Sequence, residues 1–424
     1  MKVVATAVND LYAGDCRLDA SYHASAGVKA LRRLRRWAGV TTPPPVQRST
    51  TRESAVSYGS RRLDRLDEVC KPDGIFIGGR AKRIYVTDPE HGVPFLSSSD
   101  MLLSSFDGVK LISKKQPELE SMLLRKGWTL ISRSGTIGNV AYAREDMDGL
   151  AGSEHIMRVV PDPKKILPGY VYAYLSSALG NAIVKSSTLG SVVDTIAPDR
   201  IAALPIPRLD AAIEARIHAL VERAAALWSS AQAELNKAQE PFSYLLTDEV
   251  RRYFPHNRDC TVVNFSDLQD RLGAHYHSSA YRNLEAAIRS GDFADLGTIS
   301  RRIFAPPPFK HIYLPQPNRY PFITGGQLIN RRYTDIRYLS KYGVGDINDY
   351  VVHKGWLAIY KSGQLDSMLG TTFYLSRQLE GYCLSDHVIR VIIDQNQINP
   401  AYVYAFLSTW AGRIGAAWNL LLGR

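Results

Sequence analysis

Lys126-Gly-Trp-Thr-Leu-Ile-Ser-Arg-Ser-Gly135 and Lys354-Gly-Trp-Leu-Ala-Ile-Tyr-Lys-Ser-Gly363 decide how the chain is read. Each sets a Lys-Gly turn before an apolar strand opened by tryptophan, and each closes on a second glycine turn. Two such stretches are one unit written twice, and the correspondence continues outward from both. Downstream, Ser153-Glu-His155 matches Ser385-Asp-His387, each followed by an apolar strand and an arginine, Arg158 or Arg390. Pro168-Gly-Tyr-Val-Tyr-Ala-Tyr-Leu-Ser176 then matches Pro400-Ala-Tyr-Val-Tyr-Ala-Phe-Leu-Ser408. Upstream, Pro94-Phe-Leu96 pairs with Pro321-Phe-Ile323, Ile84-Tyr85 with Ile312-Tyr313, and Leu66-Asp-Glu-Val69 with Leu296-Gly-Thr-Ile299. Arg17-Leu-Asp-Ala-Ser-Tyr-His23 returns as Arg271-Leu-Gly-Ala-His-Tyr-His277, each before a short helical pattern.

Within each copy the pattern is strands joined by glycine turns, with Trp128 to Ser132 and Val140 to Ala143 as the arms of a hairpin. The expected fold is therefore α+β: two repeated domains with twisted, mainly antiparallel sheets, joined by a long coiled-coil-like helix. That helix is read over 210–240. Ile213, Ile217, Leu220, Ala224, Leu227 and Ala231 recur at steps of four and three, Asp210 is placed to cap it, and Pro241 ends the run. At about 1.5 Å per residue it spans roughly 45 Å. The expected division is 1–209, 210–240 and 241–424, with a basic Pro/Ser/Arg loop at about 38–62 in the first part.

A chain of 424 residues with 45% hydrophobic residues has the substance for two or three cores. Its net charge of +11 and pI near 9.4 favour a polyanionic partner. Cys16, Cys70, Cys260 and Cys383 are too scattered for a zinc site or a disulfide framework. Acidic residues interrupt the N-terminus where a signal peptide needs an apolar run, and no stretch approaches membrane-spanning length, so a cytoplasmic protein is expected.

The repeat, the turn at Ile131-Ser-Arg-Ser-Gly-Thr-Ile-Gly138, and Leu204-Pro-Ile-Pro207 running into a long helix together resemble the specificity subunit of type I restriction-modification systems. The resemblance covers nearly all of the chain. It implies two target-recognition domains, each reading one half of a bipartite DNA site, held apart by helical regions that dock two methyltransferase subunits. Motor-nuclease restriction subunits join through that complex. The subunit itself performs no chemistry, and S-adenosylmethionine belongs to the methyltransferase partner. In the family a second long helix follows the second recognition domain, and this sequence ends before reaching one.

Two reading heads about one DNA turn apart, roughly 34 to 36 Å, suit a helix of the estimated length. Arg133, Ser134 and Thr136 in one copy, and Lys361, Ser362 and Gln364 in the other, offer the side-chain types that read base edges, and their differences predict an asymmetric site. Arg80, Lys82 and Arg83, with Arg301, Arg302, Lys310, Arg331 and Arg332, are candidate phosphate contacts; the competing reading is a solvated basic face. Ile213, Ile217, Leu220 and Leu227 form the apolar stripe expected to meet a partner. His155 and His387 are read as shared fold features, and Trp128 and Trp356 as core anchors. No catalytic, cofactor-binding or metal-ligating set is expected: Thr42-Pro-Pro-Pro45 and Ala305-Pro-Pro-Pro-Phe309 lack the Asn or Asp that heads an adenine-methyltransferase motif, and there is no P-loop. The rivals are a stand-alone DNA methyltransferase or nuclease, and a truncated or split specificity subunit inactive alone.

Overall fold

The computed structural model describes residues 25–39, 56–58, 61–103, 105–106, 109–135, 137–189, 195–245, 262–265, 268, 277–315, 320–330, 336–342, 344–363 and 369–420. The repeat at 17–23 and 271–276, Thr136, Gln364, Arg331, Arg332 and most of the loop at 38–62 lie outside them. Two units emerge, one of Met1–Leu102 with Val109–Ser230 and the other of Leu103–Gly108 with Ala231–Arg424. No helix among the described residues is long and apolar enough to cross a membrane.

The first unit opens with α1 (Ala26–Trp37), capped by Ser25, whose Oγ accepts from the Val28 amide at 3.2 Å. Strands β1 (Val56–Tyr58), β2 (Arg61–Arg65) and β3 (Cys70–Ile77) follow. After them come β4 (Tyr85–Val86), β5 (Gly92–Leu96), β6 (Leu111–Ser113), β7 (Thr129–Ser132), β8 (Val140–Tyr142), β9 (Ala151–Gly152) and β10 (Ile156–Pro161). The unit continues through α2 (Pro168–Ser176), α3 (Ala178–Ser186), β11 (Thr188–Leu189), β12 (Thr195–Ile196) and β13 (Pro205–Arg208).

Its main sheet has the order β3-β10-β7-β8 and is antiparallel throughout. Every residue of β7 and β10 is buried, as fits inner strands covered on both faces. Ile131, Met157 and Val159 pack with Leu66, Tyr170, Val171, Leu175 and Ile183 in one core. A second sheet, β4-β6-β5-β9, is mixed: β5 runs parallel to β9 with Phe95 opposite Ala151 and Leu96 opposite Gly152. A third, β1-β2-β13, adjoins the start of the long helix.

The second unit contains α5 (Ser279–Arg289), reached after the long helix α4 (Ala211–Gln239). Then come β14 (Ser300–Phe304), β15 (Tyr320–Ile323), β16 (Arg337–Leu339), β17 (Leu357–Tyr360), β18 (Thr372–Tyr374), β19 (Cys383–Leu384) and β20 (Val388–Ile393), followed by α6 (Pro400–Ser408) and α7 (Trp410–Leu420). Its main sheet, β14-β20-β17-β18, is again antiparallel. Its second sheet, β16-β15-β19, again has one parallel pair, Phe322 opposite Cys383 and Ile323 opposite Leu384.

Several devices that hold one unit recur at equivalent positions in the other. Gly127 and Gly355 have φ of +84° and +85°, and Gly138 and Gly370 have +79° and +77°, conformations that suit glycine. Ser177 Oγ accepts from the Gly180 amide and Thr409 Oγ1 from that of Gly412, each at 3.0 Å, capping α3 and α7 alike. Trp128 meets Phe76 of β3 edge-on at 5.7 Å and Trp356 meets Phe304 of β14 at 6.2 Å, each past the intervening strand, and both tryptophans are half-buried.

A buried arginine ties the two sheets of each unit together. The Arg158 guanidinium donates to the carbonyls of Ser153 (2.9 Å), Ile156 (2.5 Å), Met122 (2.9 Å) and Gly152 (2.6 Å), the last on β9. Arg390 donates to Ser385 (3.0 Å), Val388 and Leu384 (2.6 Å), the last on β19. Both side chains are fully buried, and desolvation pulls each pKa down to about 10. Backbone dipoles take the place of a carboxylate partner in stabilising the charge.

Helix α4 begins as Asp210 predicts: its Oδ1 accepts from the Ala212 amide at 2.9 Å. It ends at Gln239, and the chain passes through Pro241 in a 3-10 turn over Glu240–Leu245. The helix lies on the first unit along a largely polar face. Glu214 is buried and accepts both arms of Arg208 at 3.0 Å, while Arg208 also reaches Asp64 at 2.9 Å. His218 Nδ1 accepts from the Gly169 amide at 3.1 Å, Tyr142 donates to Glu222, and Ser229 donates to Asp146 at 3.1 Å. Ile213, Leu220 and Leu227 remain 49, 60 and 61% exposed, whereas Ile217 packs against the first core.

Candidate nucleic-acid interface

The turn that follows β7, Arg133–Gly135, is held by one histidine. The Arg133 amide donates to the His155 carbonyl at 3.0 Å, and Ser134 Oγ lies 2.6 Å from His155 Nδ1. After β17 the arrangement recurs: the Lys361 amide donates to the His387 carbonyl at 3.0 Å, and Ser362 Oγ lies 2.7 Å from His387 Nδ1. Each histidine therefore fixes both backbone and side chain of the turn before it. Gly135 and Gly363, at φ +71° and +121°, let the chain reverse there. This accounts for both histidines as fold features, and Ser134 and Ser362 are engaged with them.

The surroundings of the two turns differ. In the first unit His155 Nε2 lies 3.4 Å from Glu154, which pairs with Arg83 at 2.7 Å; Arg83 in turn sits 5.0 Å over the Phe95 ring. Burial alone pushes the Glu154 carboxyl up, but the Arg83 hydrogen bond and neighbouring positive charge outweigh it and hold it below the usual range. In the second unit the residue before the histidine is Asp386, which is buried and takes its contact from Ser385 Oγ at 3.3 Å. Arg133 folds back, its Nε donating to the Ile196 carbonyl at 3.1 Å.

Among the candidate phosphate contacts, Arg80, Lys82 and Lys310 are exposed and pair with no described carboxylate. Arg301 pairs with Asp394 at 3.0 Å, and Arg302 reaches Asp349 at 3.5 Å while stacking 3.9 Å over Phe304. Both arginines are 57% exposed, so these are weak surface pairs that a phosphate oxygen can replace. Arg83, more enclosed and doubly engaged, is the least available of the set.

Sequence reasoning passed over Arg337 and Lys341, which flank one edge of the second unit's smaller sheet. Arg337 lies 4.9 Å over the Tyr313 ring, and Lys341 Nζ 5.7 Å from that of Tyr342. The sequence signal for them was their place at the start of β16 and just after it, the strand that matches β6, visible only once the pairing is known. Among the described residues no group of three His, Cys, Asp or Glu side chains is placed to hold a metal. Burial raises the Cys70 and Cys383 thiols to about 12, so neither is poised as a nucleophile.

No protein-family model matches the chain, and no curated protein matches it. Among solved structures it is similar to the type I restriction-modification system S subunit from M. genitalium, at 14% identity and TM-score 0.30, over 87% of this chain and 80% of that one. It is also similar to the HsdS subunit from Thermoanaerobacter tengcongensis, at 15% identity and TM-score 0.28, over 84% of this chain and 81% of that one.

Proposed function

We propose that the chain is the DNA sequence-specificity subunit of a type I restriction-modification complex. The observation that carries this reading is that the two units have the same pair of sheets, the same buried arginine and the same histidine-held turn, with different side chains on the turns. On this reading the units are two copies of a target-recognition domain, and Arg133 against Lys361 and the surfaces around them make the DNA site bipartite and asymmetric. Helix α4 is the spacer between the two reading domains, and Ile213, Leu220 and Leu227 are the part of its stripe open to a methyltransferase subunit or to a second helix. Ile217 serves the first core instead.

The chain then contributes recognition and assembly, while methyl transfer from S-adenosylmethionine to adenine, and DNA cleavage, belong to its partners. The direct test supplies labelled S-adenosylmethionine and duplex DNA to the purified chain, with and without a co-expressed methyltransferase subunit. Methylation that needs both proteins is expected. Methyl transfer by this chain alone contradicts the proposal.

A further inference from the structure

The two smaller sheets can be superposed residue by residue through their hydrogen bonds. Ser113 donates its amide to the Ile84 carbonyl at 2.8 Å, and Ser340 donates to Ile312 at 2.9 Å. The Ser97 amide is capped by Asp100 Oδ2 at 2.8 Å, and the Thr324 amide by Gln327 Oε1 at 3.1 Å. These pairs make Arg83 equivalent to His311, Lys110 to Arg337, Lys114 to Lys341, and Asp100 to Gln327. Two of these positions, Arg83 against His311 and Asp100 against Gln327, carry different charges, while the other two are basic in both units.

Among the described residues between Arg83 and Lys115 the first unit sets Asp88, Glu90 and Asp100 beside Arg83, Lys110, Lys114 and Lys115. Among the described residues between His311 and Tyr342 the second has Arg337 and Lys341 and no acidic residue. Local contacts widen the contrast. Arg83 is neutralised by Glu154, and Lys114 Nζ donates to the Glu90 carbonyl at 2.7 Å. Arg337 and Lys341 meet only rings, and neither pairs with a described carboxylate.

Aromatic packing stiffens this edge of the second unit. Phe309 lies 4.3 Å from Tyr350 and 4.6 Å from His311, and His311 lies 5.0 Å from Phe322, centroid to centroid. Phe322 and Tyr350 are buried in this packing, while Tyr313 and Tyr342, the rings that Arg337 and Lys341 meet, are 37 and 71% exposed. Beside those rings the edge presents two exposed positive charges with no described carboxylate partner, which suits the phosphate rows of a duplex.

We infer that the two units divide the work on DNA: the smaller sheet of the second unit, through Arg337 and Lys341, is the electrostatic anchor on duplex phosphates, and the equivalent edge of the first contributes little of it. This rests on the proposed DNA-recognition role and assigns its salt-dependent part to one unit. The test uses the full chain and a fluorescent duplex of mixed sequence, with affinity followed against salt concentration. Each phosphate contact adds about 0.9 to the slope of log affinity against log salt. Arg337→Gln with Lys341→Gln is expected to flatten the slope by about 1.8, and Lys110→Gln with Lys114→Gln to leave it within about 0.5 of the parent. All four side chains lie on the surface or its margin, and unchanged thermal unfolding of both variants confirms that charge alone was altered. Equal flattening by the two pairs, or a larger effect of Lys110 and Lys114, overturns the division while leaving DNA recognition intact. A single-stranded oligonucleotide bound more tightly through the same two residues overturns the assignment to duplex. Failure to bind any duplex overturns both readings.

Discussion

The two units differ least where the backbone is held and most where solvent is met. Arg158 and Arg390 cap equivalent carbonyls, Gly138 and Gly370 take the same left-handed turn, and Ser134 and Ser362 lean on equivalent histidines. Yet Arg83 with its Glu154 partner stands where the other unit has His311, and Asp100 stands where it has Gln327. The sheet that carries the variable edge is therefore fixed by interior hydrogen bonds, which leaves its outer charges free to differ. A scaffold of that kind suits a protein that must read two different sequences with one fold.

The largest effect that would break the equivalence comes from the buried arginines. Arg158→Met takes a donor from four carbonyls and Arg390→Met from three, of which Ser153 and Ser385 keep the Ile156 and Val388 amides, at a cost of about 3 to 5 kcal/mol, the first the larger. Peptide-resolved hydrogen exchange should rise in β3, β10, β7 and β8 for Arg158→Met, and in β14, β20, β17 and β18 for Arg390→Met. Exchange that rises equally in both sheets for either variant would show that the units are not independently held. Next comes the attachment of α4 to the first unit. Glu214→Gln breaks a buried bidentate pair with Arg208, and allowing for the partial exposure of Arg208 the loss is about 2 to 3 kcal/mol in urea unfolding.

A finer comparison uses the turn glycines. An added Cβ at Gly138 would meet the flexible Lys185 side chain, but at Gly370 it would meet the Arg413 carbonyl at 2.3 Å and the Ala417 amide nitrogen at 2.9 Å. Both substitutions strain a positive φ, so Gly138→Ala should cost about 1 kcal/mol and Gly370→Ala about 2 or more, read as denaturation midpoints. The smallest effect is pH-dependent. The Glu154 carboxyl is held below its usual range in the folded state, so its pairing with Arg83 stabilises above the unfolded glutamate range and fades as pH falls through the lowered value. Arg83→Gln should cost about 0.5 kcal/mol at neutral pH and nothing in strong acid.

Much of the main sheets was legible because glycine turns, the Lys-Gly-Trp openings and the apolar strands recur at nearly constant spacing. The smaller sheets were less so. Their parallel partners, Ala151–Gly152 and Cys383–Leu384, are two residues long and carry no periodicity. An arginine after an apolar strand reads as a surface charge, and nothing in the sequence near Arg158 says that backbone carbonyls will surround it. For α4 the apolar stripe was visible, but most of its docking to the first unit runs through Glu214, His218, Glu222 and Ser229, which a search for apolar periodicity passes over. Of the candidate DNA contacts, residue type pointed to the turns, while pairing decided which cations were already engaged.

The central claim, that two unlike reading units in one chain direct methylation to a bipartite site, is tested most directly by mapping adenine methylation across the genome of the source organism with and without this chain. One asymmetric, two-part motif should lose its methylation while all other motifs keep theirs. An unchanged methylation map, or loss of a single uninterrupted palindromic motif, would contradict it.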